Sequence, residues 1–243
     1  MYQAQRLEEI MVLLQKHEDL TTEQMIEYFN VSRDTVRRDF AKLANEGKVK
    51  RVHGGIMALT QDKVFPFNDR LNEFTESKKH IAELAKDFIK PNGTYFFDVS
   101  TTVLQLAQLV DVPVTIYTHS LDNAIMLSTN DQVELHTLGG KFFRKNRFFY
   151  SLNEAELLQK INFDAAFIGA AGLKDSQVSF ENQEDAYLKK LVLTHTKQKF
   201  LLAEKAKFAK TATYVLDNLA SFDHLITNEA PAAEIFSTID VKY

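Results

Sequence analysis

The sequence predicts a chain of class α/β in two parts, a small helical head followed by a larger domain built on a mostly parallel sheet. Three observations predict it. Up to residue 57, three segments of helical period follow one another closely and end in a short alternating stretch around a glycine pair. From residue 73 to 243, short apolar runs alternate with helical ones, the pattern of strand–helix–strand units. Between these parts, residues 58–72 carry Pro66 and the polar runs Thr60-Gln61-Asp62-Lys63 and Asn68-Asp69, the composition of a linker. No internal repeat and no low-complexity segment interrupts the pattern.

The head is read in order. Ala4, Leu7, Ile10, Met11 and Leu14 recur at spacings of three and four and mark the buried face of a first helix. Thr21 with Gln24 three residues on is a capping-box signature for a second helix through Phe29. After the turn Asn30-Val31, Ser32 caps a third helix that runs to about Asn45 and is stopped by Gly47. Residues 48–57 alternate around Gly54-Gly55 and predict a hairpin. In the second part, Ile81, Leu84, Ala85 and Phe88 mark a helix ending before Pro91-Asn92-Gly93. Strands are predicted at 94–97, 114–118, 133–138, 165–169, 200–203, 214–216 and 225–227, and helices at 102–109, 121–127, 154–159 and 186–193.

Composition narrows the function. With 243 residues, 45% of them apolar and 26% charged, the chain has the balance of a folded protein. The absence of cysteine excludes disulfides, thiolate zinc sites and a cysteine nucleophile, and fits a reducing compartment. Apolar runs such as residues 165–168 fall far short of the ~18 residues of a membrane span. Residues 1–6 show no secretion signal, so a cytoplasmic protein without a membrane partner is expected. The net charge of −4 should repel nucleic acid, yet it is unevenly spread. Residues 1–32 sum to −4 and residues 58–243 to −4, whereas residues 33–57 hold seven bases against three acids and sum to +4.

On a helical wheel, Val36, Phe40 and Leu43 share one face of the third helix, and Asp34, Arg38, Ala41 and Asn45 lie opposite. Thr35 and Lys42 flank that exposed face on one side and Arg37 on the other, with Arg33 beside the Ser32 cap. This is the layout of a recognition helix in a winged helix-turn-helix, whose first turns reach base edges in the major groove. Lys48, Lys50, Arg51 and His53 are spaced along the hairpin like a wing on the phosphate backbone, supplying affinity rather than base choice. The predicted DNA-binding residues are therefore Ser32, Arg33, Thr35, Arg37, Arg38, Lys42, Lys50, Arg51 and His53. A three-helix module that binds protein is the plainer alternative.

In the second domain the strand ends carry the polar groups. Asp98-Val99-Ser100-Thr101-Thr102 follows the first strand and opens a helix, an arrangement suited to an anion. Thr118-His119-Ser120 follows the second, and Gly139-Gly140 with Arg144 the third. Gly169-Ala170-Ala171-Gly172 and Glu204-Lys205-Ala206-Lys207 close two more. Successive strand ends of this kind suggest one shared crevice. His119 reads as a capping or hydrogen-bonding residue rather than a catalyst. Asp98, Glu184 and Asp185 could serve an enzyme as acid and base, but nothing in the sequence fixes a paired geometry. No zinc helix motif, P-loop or Gly-x-Ser-x-Gly elbow is present. A ligand-binding domain without catalysis, cofactor or metal is expected.

Val31-Ser32-x-x-Thr35-Val36-Arg37-Arg38-Asp39, followed by Leu43, Gly47, Arg51 and His53-Gly54-Gly55, resembles the N-terminal signature of the DeoR/GlpR family of bacterial transcription regulators. The resemblance extends over nearly the whole chain. It implies an operator-binding repressor of carbohydrate metabolism, a homodimer or homotetramer, whose C-terminal domain is similar in fold to ribose-5-phosphate isomerase and senses a phosphorylated sugar. Within the family's Asp-x-Gly-Thr-Thr run, Asp98, Thr101 and Thr102 match and Ser100 replaces the glycine. Thr118-His119 stands for Thr-Asn, Gly139, Gly140 and Arg144 keep their spacing, and Tyr150 sits near a missing glycine. The Ala-Asp-x-Ser-Lys-Phe run keeps Lys207 and Phe208. The effector site so implied comprises Asp98, Ser100, Thr101, Thr102, Thr118, His119, Gly139, Gly140, Arg144, Gly169 and Lys207, with Ser100, Thr101, Thr102 and Lys207 on the phosphate. Ser100 either compensates with its hydroxyl or weakens the phosphate site through its Cβ. A non-phosphorylated or lost effector, or an isomerase-like enzyme, is the alternative.

Overall fold

The computed structural model of the chain describes residues 2–17, 19–46, 48–52, 54–58, 76–231 and 239–243. It divides into two compact units, Met1–Lys63 and Val64–Tyr243. Nearly all of the linker expected at 58–72 lies outside the described residues, as do His53 and Gly47, while Ala58 belongs to the wing.

The first unit contains α1 (Gln3–Lys16), β1 (Asp19–Thr21), α2 (Thr22–Phe29), α3 (Arg33–Asn45), β2 (Val49–Val52) and β3 (Gly55–Ala58). Its boundaries follow local chemistry. Thr21 Oγ1 accepts from the Gln24 N–H at 3.2 Å and Gln24 Oε1 accepts from the Thr21 N–H at 2.8 Å, closing the capping box. Asn30 turns left-handed (φ 51°) to end α2, and Ser32 Oγ accepts from the Thr35 N–H to start α3. Gly54 at φ +86° makes the hairpin turn. β1 was not expected from the sequence, because three residues with one buried side chain carry no readable period. It adds to β3 in the order β1-β3-β2, and a side chain at Gly55 would put its Cβ 2.2 Å from the Leu20 carbonyl oxygen. Leu7, Ile10, Leu14, Met25, Val36, Phe40, Leu43, Val49 and Ile56 form the core. Ala4, expected inside, is exposed.

A charged pair lies within this small core. Asp39 is 1% exposed in the middle of the basic helix α3. Arg6 Nε of α1 donates to its Oδ2 at 2.8 Å and Gln3 Nε2 donates to Oδ1 at 2.8 Å. The pair ties α3 to α1.

The second unit contains α4 (Glu76–Lys86), β4 (Thr94–Phe97), α5 (Thr101–Gln108), β5 (Val114–Thr118), α6 (Leu121–Leu127), β6 (Val133–Thr137), the hairpin β7 (Lys141–Phe143) and β8 (Phe148–Tyr150), and α7 (Leu152–Leu158). It continues with β9 (Phe163–Gly169), β10 (Gly172–Lys174), β11 (Gln177–Phe180), α8 (Gln183–Thr194), β12 (Thr196–Leu202), β13 (Tyr214–Asn218), β14 (His224–Ile226) and β15 (Asp240–Lys242). Seven strands pair in the order β15-β14-β12-β9-β4-β5-β6, every pair parallel. Both faces are covered, as parallel sheets require. Tyr95, Phe97, Ala165, Phe167 and Phe200 pack on one side with α4 and α5, and Phe96, Ala166, Ile168 and Leu201 on the other with α8. The strand expected at 214–216 does not join this sheet. It is β13, in a separate antiparallel sheet β10-β11-β13.

From β4 the chain winds outward through β5 and β6 on one side, and from β9 through β12, β14 and β15 on the other. The C-terminal ends of β4 and β9 therefore flank the point where strand order reverses, the usual place for a ligand in such a sheet.

Replacing Asp39 with alanine leaves Arg6 buried without its carboxylate. The expected loss is about 3–5 kcal/mol in the first unit. Chemical denaturation of the full chain, with DNA binding followed in parallel, should show the head unfolding first.

Candidate functional site

Two faces matter, one in each unit. In the first, Arg37, Arg38, Lys50 and Arg51 are exposed and their side chains make no hydrogen bond or ion pair among the described residues. Arg33, Arg37 and Arg51 line a groove that also touches Thr22, Val52 and Gly54. Lys42 is exposed and Thr35 half-buried, its hydroxyl 2.9 Å from Ser32 Oγ. Arg33 pairs with Glu23, both on the surface, and Lys48 pairs with Glu46 at 2.8 Å. Surface pairs of this kind hold little energy and yield readily to phosphate. The face is cationic and its two central arginines are uncommitted.

In the second unit, the strand ends converge on Asp98, which is fully buried just beyond β4. Its Oδ1 accepts from the Val99 N–H at 2.6 Å and its Oδ2 from the Gly169 N–H at 2.9 Å, joining β4 to β9. Lys189 Nζ of α8 lies 3.1 Å from Asp98 Oδ2 and 2.7 Å from Asp185 Oδ2. His119 Nε2 meets Asp185 Oδ1 at 2.9 Å, and its ring stacks on Phe96. Burial pushes the Asp98 carboxyl above the usual range, against the pull of Lys189. Burial acts the same way on Asp185, but Lys189 and His119 outweigh it and hold that carboxyl low. Asp98, His119 and Asp185 offer three ligand atoms within 4.8 Å of one another. The Lys189 ammonium already sits between the two carboxylates, where a metal ion would compete with it.

Above this cluster lie two small cavities that share Ser100 and Ala170. One is lined by Lys78, Thr101, Thr102, Glu204 and Lys207. Lys78, 3% exposed on the first turn of α4, has its Nζ 3.9 Å from Glu204 Oε2. Lys78 and Lys207 bring two ammonium groups to this compartment and Glu204 a carboxylate, and the first turn of α5 opens onto it. The other runs past Val99, Gly169 and Ala171 to Asn146, Glu181, Asp185 and Lys189. Each measures about 30 Å³. A small-molecule site occupies roughly 300–1,000 Å³, so the crevice is nearly shut.

The structure thus gathers Ser100, Thr101, Thr102, Gly169 and Lys207 around one crevice. Asp98, Thr118 and His119 lie beneath its floor instead. Thr118 Oγ1 donates to the Phe97 carbonyl at 2.7 Å and is spent on the backbone. Gly139, Gly140 and Arg144 are exposed at the end of edge strand β6 and in the β7–β8 hairpin, and none of them lines either cavity. Asp98 and Asp185, which no sequence feature paired, are paired through Lys189, whereas Glu184 stands outside the cluster. Lys78, Asn146, Glu181 and Lys189 are site residues the sequence reading missed.

Residues 6–62 match the DeoR-like helix-turn-helix domain, and residues 73–229 match the DeoR C terminal sensor domain. The chain belongs to the DeoR family. It is a DNA-binding transcriptional regulator and not an enzyme. The chain is 33% identical to the HTH-type transcriptional repressor GlcR of Bacillus subtilis, over 99% of its own length and 94% of that protein's. It is 31% identical to a lactose phosphotransferase system repressor of Staphylococcus epidermidis, covering 90% and 87%. It is 30% identical to the L-fucose operon activator of Escherichia coli, covering 95% and 97%. Among solved structures it is similar to a D-ribose-5-phosphate isomerase, with 13% identity, a TM-score of 0.41 and coverage of 54% and 53%. That score is low, and the α/β class rests on the parallel sheet itself.

One departure from the DeoR pattern now has a physical account. Ser100 adopts extended backbone (φ −147°), so no left-handed glycine is needed there. Its Oγ caps α5 by accepting from the Thr102 N–H at 3.2 Å. Its side chain fills the space beside Gly169, where an added Cβ would lie 2.3 Å from Ser100 Oγ. The side chain absent at one position makes room for the one present at the other.

Gly169→Ala should therefore cost about 1–3 kcal/mol by overpacking. Gly169→Ala combined with Ser100→Gly should recover most of that loss. A double-mutant cycle by urea unfolding checks the coupling.

Proposed function

We propose that this regulator is a cytoplasmic repressor of a carbohydrate-utilisation operon, acting as a homodimer or homotetramer and released by a phosphorylated sugar. The observation that carries the effector class is the compartment that Lys78 and Lys207 line together with Ser100, Thr101 and Thr102 of the first turn of α5. A phosphate there would meet two ammonium groups, hydroxyl donors and a helix N-terminus together. The names of relatives tied to lactose and L-fucose genes favour a sugar as the rest of the molecule.

On the DNA side, Arg37 and Arg38 would read base edges from α3, with Ser32, Arg33, Thr35 and Lys42 holding it to the flanking phosphates. Lys50 and Arg51 of the wing would add backbone contacts, and His53, which lies outside the described residues, belongs to the same proposal. Two copies would engage paired half-sites. The effector acts only through a difference in its affinity for the DNA-competent and DNA-incompetent arrangements. In the crevice as described, nearly shut, that difference has a simple source: binding requires opening.

With operator sites selected from a random DNA pool, Arg38→Ala should cost about 1–3 kcal/mol and relax the preference at one base pair. Lys50→Ala should weaken selected and random DNA alike and flatten the salt dependence by about one unit of slope. Fluorescence anisotropy across a salt series separates the two, and wild-type behaviour in both variants would overturn the assignment of contacts.

For the effector, titration calorimetry with a panel of hexose phosphates should give heat with at least one of them. That heat should fall about tenfold or more in affinity on Lys207→Met, which removes a charge-assisted contact. Binding to the unphosphorylated sugar alone would favour the non-phosphorylated alternative.

A further inference from the structure

The second compartment of the crevice has no role so far. It is reached past Ser100 and Ala170 from the compartment of Lys78 and Lys207, and the tip of the β7–β8 hairpin closes it. Asn146, on that tip, is 9% exposed and lines the cavity. Its amide oxygen has no hydrogen-bond partner. Four buried side-chain atoms are unpartnered among the described residues: His119 Nδ1, Asn123 Oδ1, Asn146 Oδ1 and Thr227 Oγ1. Of these residues, Asn146 alone lines either compartment. A buried amide left unpaired is unfavourable, and at a cavity wall it points to a partner that comes and goes.

The surroundings define that partner. Lys189 Nζ is shared between the carboxylates of Asp185 (2.7 Å) and Asp98 (3.1 Å), and Lys145 Nζ lies 3.2 Å from Glu181. Both lysines are engaged by carboxylates, so this compartment is not built for a second anionic group. What remains are an amide and carboxylate oxygens with spare lone pairs, which suit hydroxyl groups able both to donate and to accept. Lys145, next to Asn146, ties the hairpin tip to Glu181 on the far side of the cavity. The same turn therefore holds the wall in place and carries the unpaired amide.

We propose that Asn146 is a ligand-reading residue, and that its compartment takes the uncharged polyhydroxy end of the effector whose phosphate lies between Lys78 and Lys207. This rests on the phosphorylated-sugar reading above and adds the part of the site that tells one sugar from another. A site that bonds a hydroxyl rejects a ligand lacking it far more strongly than an apolar site rejects an extra group.

The test is calorimetric titration of the full chain, wild type and Asn146→Leu, with inorganic phosphate, the 6-phosphates of glucose, fructose, mannose and galactose, and the matching free sugars. The expected result is that one hexose phosphate binds wild type at least about tenfold tighter than inorganic phosphate. Asn146→Leu should erase that gain and leave inorganic phosphate unchanged. Asn146→Ser, a smaller change that keeps one hydrogen-bonding group, should retain part of it, with melting curves showing that both variants fold. An equal loss for phosphate and sugar phosphate, or an undiminished gain, would overturn the proposal. If wild type binds no phosphate compound, the phosphate reading fails by itself. The free sugars then decide: binding weakened by Asn146→Leu supports the hydroxyl-reading role, and no binding of any free sugar overturns it.

Discussion

The buried carboxylate of Asp98 sets the geometry of the sensor unit. It stands where the parallel sheet changes direction and accepts backbone N–H groups from both sides of that point, Val99 and Gly169. Its backbone carbonyl accepts from Asn123 Nδ2 at 2.9 Å, which brings in the start of α6. Lys189 brings in α8. Two strands and two helices thus meet at one residue with no exposure. A carboxyl buried in that position needs hydrogen bonds and a neighbouring cation, and it has both. Ser100 and Gly169 are held against each other because Asp98 is bonded to one side of the crossing and precedes the other. The crevice takes its shape from that contact.

The head solves a related problem on a smaller core. A recognition helix must be basic outside and apolar inside, and such a helix can roll. Apolar contacts alone tolerate small rotations, since Val36, Phe40 and Leu43 would remain buried over a range of angles. The Arg6–Asp39 pair does not, because its 2.8 Å bond holds at one rotation only. Asp39 follows Arg37 and Arg38 in sequence and points the other way, so anchoring it fixes where the two arginines project. Here a buried ion pair serves orientation more clearly than stability, a use for which such pairs are suited.

Much of this was legible in the sequence because it depends on local chemistry. Thr21–Gln24, Ser32 and the apolar face of α3 act within one helical turn, and they fall where the pattern put them. Six of the seven strands of the large sheet were equally plain, the central ones because burial on both faces makes them apolar runs, whereas the short polar edge strand β15 was not expected. Order in space was less plain. The ends of β4 and β6 look alike in sequence, each with small polar residues before a new element. β4 is central and β6 is at the edge, so Ser100–Thr102 line a crevice and Gly139, Gly140 and Arg144 do not. Lys78 and Asn146 gave no signal, since lysine on a helix and asparagine in a turn read as solvent-facing by default. The Asp185–Lys189 spacing of four is readable as a helical ion pair, but nothing local says that both ends are buried.

A nearly closed crevice over a floor of buried, paired charged groups constrains how the sensor can respond. The floor cannot move cheaply: separating Asp98, Lys189, Asp185 and His119 would strand charge in an apolar surround. Opening must come from the walls, which are α4 with Lys78 on one side and the β7–β8 hairpin with Asn146 on the other. The hairpin tip is tied across the cavity by the Lys145–Glu181 pair and to α6 by the Arg147–Asp122 pair, both more exposed than the bonds of the floor. α4 is the first described element after residue 58 and carries the buried Lys78 into its compartment. A ligand long enough to touch both compartments would reposition both walls at once, and a free phosphate would act on one. A response that requires the whole ligand, and not its charged end alone, follows from that division of the crevice.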